Sequence, residues 1–165
     1  MKRLYLIGGP MGVGKTTVCR SLQARLDRSV FLDGDWCWDA HPFQVTGETR
    51  AMVMENICFL LNNFLRCSAY NHVIFCWVLH QQEILNELLS RLDLQDCRIR
   101  AVSLTASPEA LSARIAADVQ AGRRDQSALE RSLAYLPLYE GLNTEKLDVS
   151  LLTPGEAAAR LEDWT

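Results

Sequence analysis

Apolar residues along the chain fall into two alternating patterns: short unbroken runs, and longer stretches in which they recur at helical spacing. Leu4–Ile7 is an unbroken run and predicts a first strand, and Thr16–Leu26 predicts the first helix. Ser29–Leu32 is short, apolar and rich in residues that favour strands, so it reads as a second strand. A long helical stretch covers 47–69, with Met52, Ile57, Phe59, Leu60, Leu61, Phe64 and Leu65 as its apolar positions. His72–Leu79 reads as a third strand. Gln82–Leu92 is a helix with Ile84, Leu85, Leu88, Leu89 and Leu92 on one stripe, and Arg98–Leu104 is a fourth strand.

Punctuation residues set the remaining boundaries. Ser107-Pro108-Glu109 supplies a cap residue and a proline at the first helical position, and the helix it opens runs through Leu111, Ile115 and Val119. Gly122-Arg123-Arg124-Asp125 interrupts it, and a further helix is expected over 127–139. Asp148–Leu152 reads as a fifth strand. Thr153-Pro154-Gly155-Glu156 is a capping box that opens the last helix. Five apolar strands separated by helices predict an α/β fold: a five-stranded parallel sheet covered on both faces, in a single domain over 1–165. In such sheets ligands bind at the carboxyl ends of the strands, so those loops are the ones to read for chemistry.

Composition narrows the picture only modestly. The 165 residues carry a formal net charge of −3, and no basic run exceeds two residues, which counts against a nucleic-acid-binding face. No stretch of about 18 apolar residues is present, so no membrane span is expected. Met1-Lys2-Arg3 leads into an apolar run too short for a signal-peptide core, so a cytoplasmic location is expected. The six cysteines show neither C-x-x-C nor zinc spacing, and Cys19, Cys58 and Cys76 lie inside apolar patterns, as expected of reduced, buried thiols.

The first strand-to-helix junction carries the chemistry. Residues 9–16, Gly-Pro-Met-Gly-Val-Gly-Lys-Thr, fill every fixed position of G-x-x-x-x-G-K-[ST] between an apolar strand and a helix, the context that identifies a phosphate-binding P-loop. Gly9, Gly12 and Gly14 let the backbone turn its N–H groups toward one point, and the helix beginning near Lys15 adds its positive dipole end. Met11, Val13 and Thr17 belong to the same cradle. Lys15 is expected to reach the β- and γ-phosphates of ATP as a catalytic charge, and the Thr16 hydroxyl to ligate Mg²⁺.

The second strand ends in Asp33-Gly34-Asp35, beside the P-loop. Phosphoryl transfer to a hydroxyl requires a metal ion and an acceptor for the hydroxyl proton, and this pair can supply both. Asp33 is expected to hold Mg²⁺ through water, and Asp35 to orient and deprotonate the acceptor. Nearby positive charge on Lys15 and the metal is expected to keep Asp35 ionised. Trp36 and Trp38 follow in an irregular loop with Asp39, His41 and Phe43, and His80 stands just past the third strand. Trp36, Trp38 and His80 are candidate acceptor-binding residues, the aromatics because they offer large rigid area at low entropy cost.

These motifs resemble those of the P-loop small-molecule and nucleotide kinases, which include shikimate, gluconate, adenylyl-sulfate and adenylate kinases and chloramphenicol phosphotransferase. The resemblance spans nearly the whole chain in size and element order. It implies ATP and Mg²⁺ as cofactors and a short lid over about 118–130. It also implies that Arg114 faces the nucleotide, that Arg123 or Arg124 neutralises charge on the transferring phosphoryl group, and that adenine lies near Thr153. The expected activity is transfer of the γ-phosphoryl group of ATP to a hydroxyl or phosphate of a nucleoside, nucleotide, sugar or antibiotic, by a monomer or homodimer. The third strand ends without the carboxylate that many P-loop proteins carry there, which counts against a motor ATPase or GTPase. It also lacks the glycine run of shikimate kinases. Two alternatives remain: a non-catalytic ATP-binding switch, and a polynucleotide 5′-hydroxyl kinase, against which the acidic balance counts.

Overall fold

The structure, a computed structural model, describes residues 1–164. Five strands form one parallel sheet: β1 (Lys2–Gly8), β2 (Ser29–Asp33), β3 (His72–Cys76), β4 (Cys97–Thr105) and β5 (Glu145–Asp148), in the order β2-β3-β1-β4-β5. Six α-helices accompany them: α1 (Lys15–Arg25), α2 (Gly47–Arg66), α3 (Gln82–Arg91), α4 (Pro108–Gln120), α5 (Ala128–Tyr135) and α6 (Pro154–Glu162).

Alternation along the central strands sorts the core into two layers. Tyr5 and Ile7 of β1 face one layer with Val18 and Leu22 of α1, Leu111 and Ile115 of α4, and Ala158 and Leu161 of α6. Leu4 and Leu6 face the other, with Ile57 and Leu61 of α2 and Leu85 and Leu88 of α3. Each fully buried leucine or isoleucine contributes about 1.5–3 kcal/mol of burial, so both faces of β1 tie the sheet to its helices. The strands are buried on both sides, which is why they read as continuous apolar runs.

Three boundaries differ from the expectation. The fifth strand lies at Glu145–Asp148, because those residues pair with Val102–Thr105. The apolar run after it is a turn, closed by Leu152 N–H donating to the Val149 carbonyl at 3.2 Å, and Leu151 is 95% exposed. The helix expected over 127–139 ends at Tyr135 and continues as a 3₁₀ segment, Leu136–Gly141, where Pro137 cannot donate to an α-helical ladder. The third strand ends at Cys76, although Trp77 N–H still donates to the Ile7 carbonyl at 3.1 Å. In α2 the buried stripe is Val53, Met54, Ile57, Cys58, Leu61 and Leu65, whereas Met52 and Phe59 fall off that stripe and are exposed. Among the described residues no helix is long and apolar enough to cross a membrane. Cys19, Cys58 and Cys76 are buried, and all six cysteines are free.

Candidate active site

A cavity of about 780 Å³ opens at the carboxyl ends of the strands, over the P-loop. Every residue expected to face nucleotide, phosphate or metal lines it except Gly9, which is buried beneath the loop. Asp35, Arg123 and Arg124 line it too.

Local backbone rules build the phosphate end. Gly12 sits at φ +82°, and a Cβ there would lie 2.6 Å from Ile115 Cγ1, so both its conformation and α4's close approach require glycine. Gly14 is the N-cap of α1, and no side chain caps this end, so the first-turn N–H groups present themselves to an anion. Lys15 Nζ donates to the carbonyls of Gly9 at 2.8 Å and Pro10 at 3.1 Å, spanning its own loop. Burial lowers the Lys15 pKa against the opposing pull of Cys76, Asp35 and Asp33.

The Asp-Gly-Asp turn is tied to this loop. Thr16 Oγ1 donates to Asp33 Oδ2 at 2.6 Å, and Asp35 N–H donates to Asp33 Oδ1 at 3.0 Å. Asp33 is therefore a buried hinge between α1 and the 3₁₀ turn it caps, Gly34–Cys37. Among the described residues no cluster of three or more His, Cys, Asp or Glu side chains could hold a metal unaided. A hydroxyl bonded to one carboxylate fits Mg²⁺, which takes one or two protein ligands and completes its shell with phosphate and water. Both Asp33 oxygens are already engaged, which suits contact through water.

Asp35 projects from the exposed rim, yet its carboxyl is crowded by protein. That crowding, and then the Asp33 charge, raise its pKa, and the opposing pull of Lys15, Trp77 and Arg124 does not cancel them. A more basic carboxylate is a better proton acceptor. Cys76 stands beside Asp33 in the β2–β3 register, where a strand-end carboxylate was absent from the sequence. A hydrogen bond with Cys19, and then burial, push its pKa up and keep it a neutral thiol.

The three arginines are all held by protein partners. Arg114 donates to the Val13 carbonyl at 3.0 Å and the Val149 carbonyl at 2.6 Å, so it clamps the P-loop to the turn after β5 while lining the cavity. Arg123 and Arg124 each hold Asp118 at 3.0 Å. Burial works to raise the Asp118 pKa, but hydrogen bonds from Arg124 and then Arg123 outweigh it and hold the carboxyl low. Arg124 faces inward, its side chain 31% exposed against 66% for Arg123, with Nε beside Gly12. The expected lid of 118–130 comprises the end of α4, a turn at 121–127 and the start of α5. Thr153 caps α6 in the expected box and also lines the cavity.

The three candidate acceptor residues do not line this cavity. Trp36 turns outward, its ring 5.2 Å from Phe31 and 5.1 Å from the Arg20 guanidinium. Trp38 packs against Phe43 at 4.8 Å. His80 stacks on Tyr135 at 4.7 Å and 14°, and burial, then Arg50, lower its pKa. Reading the sequence missed Asp118, Arg131, Ser132 and Tyr135, which all line the cavity. Ser132 Oγ donates to the Met11 carbonyl at 2.5 Å, bolting α5 to the P-loop. Only Asp118 had a signal, its position one turn and a half before the arginine pair.

Known proteins share this architecture. A tunicamycin resistance protein from Deinococcus radiodurans superposes with a TM-score of 0.74 at 18% identity, covering 98% of this chain and 94% of that one. A sugar kinase from Janibacter sp. HTCC2649 gives 0.70 at 15% identity, over 99% and 94%. A gluconokinase from Sinorhizobium meliloti 1021 gives 0.65 at 18% identity, over 95% and 91%. At these identities the likeness is one of fold. No curated protein matches the sequence. A family model described as an AAA domain matches residues 6–133, most of the chain and all of the phosphate-binding end. By that match the chain belongs to the AAA domain family, and its five-stranded sheet has the fold of the P-loop small-molecule kinases.

Proposed function

We propose that this protein transfers the γ-phosphoryl group of ATP to a hydroxyl group of a small molecule. The observation that carries the reading is the continuous link from the P-loop to a second carboxylate: Thr16 to Asp33 at 2.6 Å, Asp33 to Asp35 N–H at 3.0 Å, and the Asp35 carboxylate at the cavity rim. A binding switch has no use for such a group.

In this reading the P-loop N–H groups and Lys15 bind the β- and γ-phosphates, and Arg114 keeps the loop closed against the turn after β5. Thr16, with Asp33 through water, would hold Mg²⁺, which neutralises phosphate charge. Asp35 accepts a hydrogen bond from the acceptor hydroxyl and takes its proton. The acceptor oxygen forms its bond to the γ-phosphorus as the bond to the β–γ bridging oxygen breaks, and ADP leaves with that electron pair. Arg124, on the opposite wall, balances charge on the phosphoryl oxygens.

The experiment is a panel assay with ATP against sugars, sugar acids, nucleosides and nucleoside-type antibiotics, run on the wild type and on Asp35→Asn. The panel covers the compound classes of the tunicamycin resistance protein, sugar kinase and gluconokinase that share this fold. With the acceptor found, Asp35→Asn should lose about 10²- to 10⁴-fold in turnover, as expected for a missing general base, and bind ATP normally. Wild-type turnover in that variant would remove Asp35 as the base.

A further inference from the structure

Asp35 lies on an exposed turn, where a carboxylate ordinarily samples several rotamers. The residue beneath it restricts that freedom. Gly34 rests directly on Trp77: a Cβ at position 34 would lie 2.5 Å from Trp77 Cγ and 2.7 Å from Cδ1. The Trp77 side chain also acts on the Asp35 carboxyl, working to lower its pKa, and indole is a donor only. The ring is itself held from several sides. The Trp77 backbone N–H donates to the Ile7 carbonyl of the central strand at 3.1 Å, the ring packs on the core layer of α2 and α3, and Trp38 lies 6.5 Å away. The preceding residue, Cys76, pairs in register with Asp33.

We infer that Trp77 is a positioning residue for phosphoryl transfer: its indole forms the floor under Gly34 and aims the Asp35 carboxylate at the acceptor hydroxyl. The inference rests on the phosphotransferase reading above. It also gives glycine at position 34 a reason, since any side chain there would lift the turn off the ring. One carboxylate oxygen engaged by a rigid donor leaves the other free to take the proton. Misplacement of a reacting group by about 1 Å typically costs on the order of 10²-fold in rate, and the Trp77 contact acts on that scale of distance.

Two measurements test this. The first needs no acceptor: solvent exchange of the four indole N–H signals, assigned by single Trp→Phe variants, in the wild type and in Asp35→Ala. The Trp77 signal should exchange at least about tenfold faster in Asp35→Ala, as the loss of a charge-assisted bond predicts, while the Trp164 signal stays unchanged. The second is turnover of Trp77→Phe, which keeps an aromatic floor and removes the donor. Its kcat should fall about 10- to 10²-fold, with the KM for ATP unchanged. Unchanged Trp77 exchange, or a wild-type kcat in Trp77→Phe, overturns the inference while leaving an inactive Asp35→Asn, and so the phosphotransferase reading, intact. An active Asp35→Asn overturns both.

Discussion

At the phosphate end of the cavity, Lys15 and the start of α1 are placed by their own neighbours in sequence. Lys15 spans six residues back to Gly9, and Gly14 begins the helix that Lys15 and Thr16 enter. At the acceptor end, each group is placed by something remote. Gly34, beside Asp35, rests on Trp77, His80 is stacked by Tyr135, and the Trp36 ring lies against the Arg20 guanidinium. Short-range geometry is repeatable because backbone conformation dictates it. Long-range placement depends on how helices and loops dock, and three aromatic or imidazole side chains expected in the pocket are absent from its wall for that reason.

Lys15→Ala breaks the contrast most forcefully. Removing the charge fixed inside the loop should cost about 10³-fold in turnover, the upper range for one preorganised electrostatic donor, and should also weaken ATP binding in calorimetry. Asp35→Asn should spare that binding, so equal binding loss in both variants would mean that the two ends are one cooperative unit.

The arginine pair sharpens the comparison at the boundary between the ends. Both arginines hold Asp118 and line the cavity, yet Arg124 lies against Gly12 of the P-loop and Arg123 is the more exposed. Arg124→Ala should reduce kcat about 10²-fold. Arg123→Ala removes a largely exposed ion pair and should change kcat by no more than about threefold, since such pairs are worth about 0–1 kcal/mol. Equal effects in steady-state kinetics would show that the lid turn at 121–127 brings both heads inward.

Trp36→Ala carries the smallest expected effect. Its ring contacts with Phe31 and Arg20 should be worth about 1 kcal/mol in urea unfolding, and turnover should stay within about twofold of wild type, the spread expected of a surface change away from the site. A tenfold loss of turnover would extend the acceptor site out to the Trp36 face.

The sequence by itself determined the sheet, the P-loop and the placement of Asp33 at a strand end, because each rests on periodicity or on the fixed φ/ψ demands of glycine. Thr153 and Glu156 announced the last helix for the same reason: a capping box is closed within four residues. Pro137 marked the end of α5, but the helical pattern of its neighbours hid it. The run after Asp148 had strand-like composition, and only the pairing of β4 with Glu145–Asp148 decided that it is a turn at the cavity wall. Tertiary structure alone decided that Arg114 clamps the P-loop to that turn, that Arg124 and not Arg123 faces it, and that Trp77 lies under Gly34. None of those contacts spans fewer than 35 residues except where Gly122 reverses the chain. No local pattern encodes them, because they arise only when α4, α5 and the third strand pack around the same cavity.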